Sequence, residues 1–353
     1  MIRSQHILRV ATAALLAVGL SAPAAAQDLP RRQFKVIGTF SNLTNWQVNE
    51  MPWWTKEIPA ASNNAITANI LSYSDLGLKG TEVMRMLKIG LFDFAFGVPN
   101  FVAEDANLEG IDLAGAVRDF ATMRRVSQAY GAALNEHMMK NYSARVLAWN
   151  TWPVQMIYCN KPIASLADIK GRKVRVQGVS QGDLIAGLGG IGVTLAFPEV
   201  VPALQRGTVE CGITGTMPAY KAGWHEVTTH VLTLPLGFTV GFFAANLNVW
   251  NGLDDKSRAF LEAQSTAWTD RAWKVIMDEN AMGLICTTGE GGTCTEGKPG
   301  KLVNVKPTDA DQELLNKVFA ETVLARWAKR CGTACVATWN DTMGKVINMV
   351  AKP

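Results

Sequence analysis

The spacing of apolar and polar positions changes period repeatedly along this chain, and each change marks an element. Residues 34–40 are an apolar, β-branched run, 66–71 alternate as a strand does, and 81–87 have helical spacing that stops at Gly90. A buried strand is expected over 92–98. A long amphipathic helix follows over 119–141, with Phe120, Met123, Val126, Tyr130, Ala133, Leu134 and Met138 on one face, and then a strand over 144–149. After Trp152-Pro153 the rhythm restarts, with strands at 154–159, 173–177, 193–197 and 211–214 and helices at 182–188 and 199–205. Two successive α/β units joined near residue 150 make a two-lobed protein. The strand expected over 241–249 crosses back to the first lobe. Residues 254–282 form one long helix whose Trp268, Trp273 and Val275 side packs on the body.

The start of the chain has a different character. Residues 1–9 are basic, and 10–20 are an apolar run too short to span ~30 Å of hydrocarbon as a helix. With Ala24-Ala25-Ala26 after it, this is the pattern of a secretory signal, so residues 1–26 are expected to be removed and the protein to be periplasmic. The 353 residues exceed what one core supports, which agrees with two domains. A net charge of +4 falls to +2 once Arg3 and Arg9 leave, and no basic stripe remains, so nucleic acid is excluded as a partner.

Six cysteines suit an oxidising compartment. Cys286 and Cys294 bracket a glycine-rich loop, Cys331 and Cys335 bracket Gly332-Thr333-Ala334, and Cys159 and Cys211 remain as the third pair. A zinc site would need a second Cys or His pair beside Cys331 and Cys335, and none is there. Neither metal nor cofactor is expected.

Three motifs suggest chemistry. Gly178-Val179-Ser180-Gln181-Gly182 matches the nucleophile elbow of serine hydrolases between a strand and a helix, which makes a secreted hydrolase using Ser180 the rival reading. Against it, His225 and His230 follow the serine too soon for the hydrolase layout, and Ser180 is as well placed to cap the helix. Gly187-Leu188-Gly189-Gly190-Ile191-Gly192 closes a helix and precedes a strand, the reverse of a dinucleotide-binding turn. His225 and His230 are five apart, so they point to different helix faces and do not form a zinc-protease pair. Most of the eleven tryptophans fall at core spacing. Trp152 stands instead in the segment joining the lobes, where ligand sites concentrate.

The run Leu166-Ala167-Asp168-Ile169-Lys170-Gly171-Arg172-Lys173-Val174-Arg175-Val176 resembles the substrate-binding proteins of TRAP transporters, the dicarboxylate-binding family. The resemblance continues through Pro198-Glu199-Val200-Val201-Pro202-Ala203-Leu204-Gln205-Arg206-Gly207 and appears upstream at Gly90-Leu91-Phe92-Asp93-Phe94-Ala95. It implies that Arg175 pairs with the ligand carboxylate, as a guanidinium fork can do in two parallel hydrogen bonds. The helix start at 180–182 should add N–H groups beside the same anion. By the same resemblance Phe197 is a wall residue, Gln155 stands where sialic-acid-binding members carry a second arginine, and Thr214 stands where they have asparagine. These departures remove a positive charge and argue against sialic acid. In the first lobe Phe40, Trp46, Gly97 and Val98 are the candidates.

The resemblance implies a type II periplasmic-binding-protein fold, two α/β lobes around a hinge with a long C-terminal helix bracing both. The expected division is 27–151 with 246–285 for lobe I, 152–245 for lobe II, and 286–353 for a C-terminal helical segment packed on both. The implied role is capture of a small organic carboxylate by a monomer and its delivery to the small and large membrane subunits of a TRAP transporter, without catalysis. With Arg175 the one cation against the ligand, a monocarboxylate is favoured over a dicarboxylate.

Overall fold

The computed structural model describes residues 29–102 and 105–353; the signal sequence expected at 1–26 lies outside them. Eleven strands form two sheets among these residues. In chain order they are β1 (Arg32–Gly38), β2 (Ile66–Ser72), β3 (Phe94–Gly97), β4 (Ala144–Thr151), β5 (Gln155–Cys159), β6 (Lys173–Val176), β7 (Ile191–Thr194), β8 (Cys211–Gly215), β9 (His230–Leu232), β10 (Val240–Asn246) and β11 (Val303–Val305). The first sheet runs β2-β1-β3-β10-β4 and the second β11-β9-β5-β8-β6-β7. In the first, β1, β2 and β3 are parallel and β10 is antiparallel to β3 and β4; in the second, β6, β7 and β8 are parallel.

The chain therefore crosses between sheets after β4 and returns before β10, as the pattern suggested. The two crossings are bonded to each other. Trp152 N donates to Thr239 O at 2.9 Å, Gln155 N to Gly237 O at 2.9 Å, and Leu236 N to Gln155 O at 3.0 Å. Gly237, at φ 122°, supplies a turn in this hinge that L side chains rarely adopt.

Each sheet is a layer because its strands bury side chains on both faces. On one face of the first sheet Phe94, Phe96 and Phe243 meet Trp53, Trp54 and Trp268, with Phe96 and Phe243 stacked at 4.7 Å. On the other face the helix Phe120–Tyr142 buries Met123, Val126, Tyr130, Leu134 and Met138, and Asp119 caps it by accepting Thr122 N at 2.8 Å.

The helix Asp255–Thr288 is 34 residues, roughly 50 Å long. It touches the first lobe where Trp273 Nε1 donates to Trp149 O at 3.2 Å and the second where Thr216 Oγ1 donates to Asn280 O at 2.8 Å. Further along the chain Asp311 accepts Leu166 N at 2.7 Å, while Arg330 pairs with both Glu109 and Asp183, so the C-terminal helices also grip both lobes.

Several boundaries differ from expectation. The strand expected over 241–249 ends at Asn246, whose side chain accepts Asn248 N and Val249 N and so starts the helix Leu247–Asn251. The long helix, expected to end at 282, continues to Thr288, and Gly289 then ends it at φ 74°. The C-terminal segment expected over 286–353 is helical for the most part and also contributes β11 to the second sheet. Cys159–Cys211 joins the neighbouring strands β5 and β8, and Cys286–Cys294 and Cys331–Cys335 are also bonded. No helix of the described residues is long and apolar enough to cross a membrane.

Candidate functional site between the lobes

Parallel strands aim their carboxyl ends at one edge of a sheet, and here those edges face each other across the hinge. Thr39 and Phe40 follow β1, Tyr73 follows β2 and Val98 follows β3; Gln177 follows β6, Phe197 lies beyond β7, and Thr214 and Gly215 end β8. All of them line one cavity, completed by Trp152, Gln155 and Thr239 at the hinge and by Leu43, Phe101 and Pro218.

Arg175 is the centre of the electrostatics. It sits on β6 with 1 % of its surface exposed, and Nε donates to Leu195 O at 3.0 Å and Nη1 to Ile213 O at 2.9 Å. The guanidinium carbon lies 5.9 Å from the rings of both Phe197 and Trp224. Among the described residues no carboxylate pairs with it, and Nη2 has no partner. Burial alone pulls it down to about 9 from its ordinary 12.5. A buried cation held by two carbonyls at fixed angles, with one nitrogen uncommitted in a cavity wall, has the chemistry to accept an anion from outside.

The remaining wall is neutral or apolar. The Phe40 ring lies 5.6 Å from that of Phe197 and 5.2 Å from that of Tyr73. Tyr73 donates its hydroxyl to Phe96 O at 2.5 Å. Thr39 is held from behind by Glu50, whose buried carboxyl accepts Thr39 N at 2.6 Å, Thr39 Oγ1 at 2.9 Å and Asn45 Nδ2 at 2.7 Å. Without a cation, burial pushes that carboxyl up to about 8.

The lobes touch around the cavity. Lys79 Nζ meets Glu199 Oε1 at 2.6 Å and Asn42 Nδ2 donates to Lys221 O at 3.3 Å, while at the hinge Gln177 Nε2 donates to Thr239 Oγ1.

Of the residues singled out from the sequence, Arg175, Gln155, Thr214, Phe197, Trp152, Phe40 and Val98 come together in this wall; Trp46 and Gly97 do not. Trp46 packs on Gly38, where a Cβ would come within 2.5 Å of the indole. Gly97 is small for a packing reason: its cross-strand partner Phe242 lays its ring over it, 2.3 Å from where a Cβ would stand. The helix start expected beside the anion also lies elsewhere. The helix Val179–Gly187 begins from Gly178, which packs on Asn100, and Ser180 neither caps it nor faces the cavity but accepts Ala114 N at 3.3 Å. No described histidine reaches Ser180: His137 pairs with Asp105, His225 stacks on Tyr220 and His230 bonds Thr229. Thr39, Tyr73, Phe101, Gln177 and Thr239 were not singled out. Gln177 had a signal, since two residues along a strand from Arg175 returns to the same face.

A family model described as bacterial extracellular solute-binding protein, family 7, matches residues 37–296. The chain belongs to that family. It is 24% identical over 279 residues to the C4-dicarboxylate-binding periplasmic protein DctP of Rhodobacter capsulatus, covering 75% of this chain and 81% of that one. Among solved structures it is similar to DctP7, a Bordetella pertussis extracytoplasmic solute receptor binding pyroglutamic acid (19% identity, TM-score 0.77, 90% of this chain and 99% of that one). It is also similar to a TRAP periplasmic solute-binding protein from Desulfovibrio salexigens with bound orotic acid (17%, 0.78, 89% and 99%). At these identities the solved structures establish the two-lobed α/β fold, which this family 7 protein shares. The matched span runs from the last two residues of β1 into the loop after the long helix, so it takes in both sheets except most of β1 and all of β11.

Proposed function

We propose that this family 7 protein is a monomeric periplasmic receptor that closes on a small monocarboxylate and delivers it to the membrane subunits of a TRAP transporter. The observation that carries the reading is Arg175, a buried cation with no carboxylate partner in the wall of the interlobe cavity. A carboxylate docked end-on across Nη1 and Nη2 would supply the missing charge without disturbing the bonds to Leu195 O and Ile213 O. A second carboxylate would find no second cation in the wall, since Gln155, Gln177, Thr39, Thr214 and Thr239 supply its polar groups.

The relatives give the reading range. The Bordetella pertussis and Desulfovibrio salexigens proteins bind pyroglutamate and orotate, each with a single carboxylate, whereas the Rhodobacter capsulatus relative is named for C4-dicarboxylates. The charge count favours a ligand like those of the first two. Closure follows because only the closed form brings Phe40 and Tyr73 from one lobe and Arg175 and Phe197 from the other onto one ligand. In this reading lobe I carries the first sheet and lobe II the second, with the hinge at Trp152 to Gln155 and Leu236 to Val240.

Calorimetry of the purified protein with a panel of mono- and dicarboxylic acids tests it. A monocarboxylate should bind best, and Arg175→Met should lose at least a hundredfold in affinity while keeping its thermal transition. Unchanged affinity in that variant, or a dicarboxylate bound tenfold more tightly than every monocarboxylate, would overturn it.

A further inference from the structure

The segment between β3 and the helix Phe120–Tyr142 lies where the first lobe meets the hinge. Gly115 N donates to Leu236 O at 2.7 Å, Ala114 N donates to Ser180 Oγ at 3.3 Å, and Asn100 packs on Gly178 of the second lobe. In the middle of this segment Asp112 grips the returning hinge strand, its Oδ2 accepting the N–H of Val240, the first residue of β10, at 2.9 Å. Thr239, one residue earlier, accepts Trp152 N through its carbonyl and Gln177 Nε2 through its hydroxyl. Asp112 therefore holds the hinge where both lobes reach it.

The same Oδ2 accepts Asn100 Nδ2 at 3.2 Å, which joins a buried carboxyl to a buried carboxamide. Each has one oxygen left over. Asp112 Oδ1 and Asn100 Oδ1 are both shut off from solvent and both lack a hydrogen-bond partner among the described residues. Exchanging the two ends of the Asn100 amide would set oxygen against Oδ2 instead, so a hydrogen is missing either way. One proton on the carboxyl supplies it: Asp112 Oδ1–H donates to Asn100 Oδ1 while Asn100 Nδ2 donates to Oδ2, the cyclic pair that an acid and an amide form. The surroundings favour the neutral acid. Burial first, with the charge of Glu109 adding to it, pushes the carboxyl up to about 7 against the bonds from Val240 N and Asn100 Nδ2, and no cation offsets this. Of the other charges nearby, Arg330 is shared between Glu109 and Asp183, Arg326 faces Asp183, and Arg118 turns to Gln312 and Asn316.

We propose that Asp112 carries a proton in the folded protein at neutral pH and donates it to Asn100 Oδ1, and that this neutral acid–amide pair is a pH-sensitive clasp on the hinge. Asp112 is a positioning residue; it touches no solute, and its role holds whichever solute the cavity takes. When the proton leaves to solvent, the bond to Asn100 Oδ1 is lost and two oxygens are left to repel each other in a buried place. The hinge segment 236–240 then loses part of its anchor.

Two variants separate the proton from the bulk. Asp112→Asn mimics the protonated form, since its Nδ2 takes the place of the hydroxyl and donates to the same Asn100 Oδ1, and it cannot ionise. Asp112→Leu keeps the size and removes every bond. Thermal denaturation and hydrogen exchange, read by mass spectrometry on peptides covering 236–240, should be followed for all three proteins from pH 5.5 to 8.5. At pH 5.5 the asparagine variant should behave as the unaltered protein does, while the leucine variant should exchange about tenfold faster over 236–240. Between pH 5.5 and 8.5 the folding equilibrium of the unaltered protein should fall roughly thirtyfold relative to the asparagine variant, because the unfolded chain has Asp112 ionised throughout and the folded one only above about 7. Over the same range its protection at 236–240 should fall toward that of the leucine variant. An asparagine variant that resembles the leucine one at pH 5.5 would overturn the clasp by showing that the position needs a charge. A ratio between unaltered and asparagine proteins that does not change with pH would overturn it as well. One further measurement needs no variant: with the aspartate side-chain carboxyl carbons labelled with carbon-13, one resonance of the unaltered protein should titrate near neutrality. If none does, Asp112 is not a neutral acid that ionises in this range, and the clasp falls whatever the variants do.

Discussion

Glu50 should make this protein lose stability as the pH rises through neutrality. Its carboxyl is wholly buried, accepts three hydrogen bonds from Thr39 and Asn45, and is pushed up to about 8 from 4.5 by desolvation, which those bonds offset only in part. Among the described residues no lysine, arginine or histidine pairs with it; it is felt by Tyr73, itself driven up by burial first and by Glu50 second. The sign follows from which state holds the proton. Below 4.5 both states are protonated and the contribution is complete. Between 4.5 and 8 the unfolded chain has lost the proton and the native chain keeps it, so stability falls with rising pH and levels off above 8. At about 1.4 kcal/mol per pH unit the loss is on the order of 4–5 kcal/mol. For a chain of this length, with ~0.7 kcal/mol per degree of unfolding entropy, that is a shift of roughly 6 °C. Asp112 and Glu279, each raised to about 7 chiefly by burial, add loss in the same direction. Glu50→Gln isolates the residue. The amide gives up an acceptor, so the variant should melt below the unaltered protein at pH 5, by about 1–3 kcal/mol of stability. Near pH 9 the order should reverse, because only the unaltered protein has then had to ionise a buried acid. Scanning fluorimetry from pH 4.5 to 9 at constant ionic strength measures the difference between the two melting curves. If that difference stays constant across the range, Glu50 does not titrate in the native state as its burial requires.

Gly283 lies in the long helix, where alanine would ordinarily raise stability by about 1 kcal/mol. A Cβ there would stand 2.2 Å from Met217 N and 2.5 Å from the Thr216 carbonyl carbon, both backbone, so Gly283→Ala should instead lower the melting temperature by a few degrees; an unchanged or higher one would refute the packing argument. Lys79 and Glu199 close the cleft mouth from opposite lobes but are about half exposed, so Lys79→Ala should weaken ligand binding only roughly twofold to fivefold, mainly through faster release, and the effect should vanish at high salt. A loss as large as that of Arg175→Met in stopped-flow release measurements would show that the pair does more than latch the mouth.

How much of this was legible in the sequence depends on what each signal measures. Apolar periodicity found the two α/β units, the return of β10 and the buried face of the helix Phe120–Tyr142, because burial on a sheet or helix face is what sets that period. It placed strand ends less well. The run 34–40 looked continuous, yet β1 stops at Gly38, and the two residues beyond it, Thr39 and Phe40, turn into the cavity. Tyr73 was passed over for the same reason, standing one residue past β2. Hydrophobicity cannot mark such residues, since a side chain at the carboxyl end of a parallel strand is buried against ligand and opposite lobe rather than against its own core. Where residues of the cavity wall were named in advance, at Arg175, Gln155, Phe197 and Thr214, the information came from resemblance in motif and position. Gly97 shows the converse error. Its place at the end of β3 put it beside the cavity in sequence, but its missing side chain makes room for Phe242 across the strand. In the first sheet the residue that follows a parallel strand faces the cavity, while Gly97, the last within β3, still answers to the sheet. That distinction is what turns strand boundaries, otherwise a minor detail of the fold, into the main determinant of which residues a receptor of this kind offers to its solute.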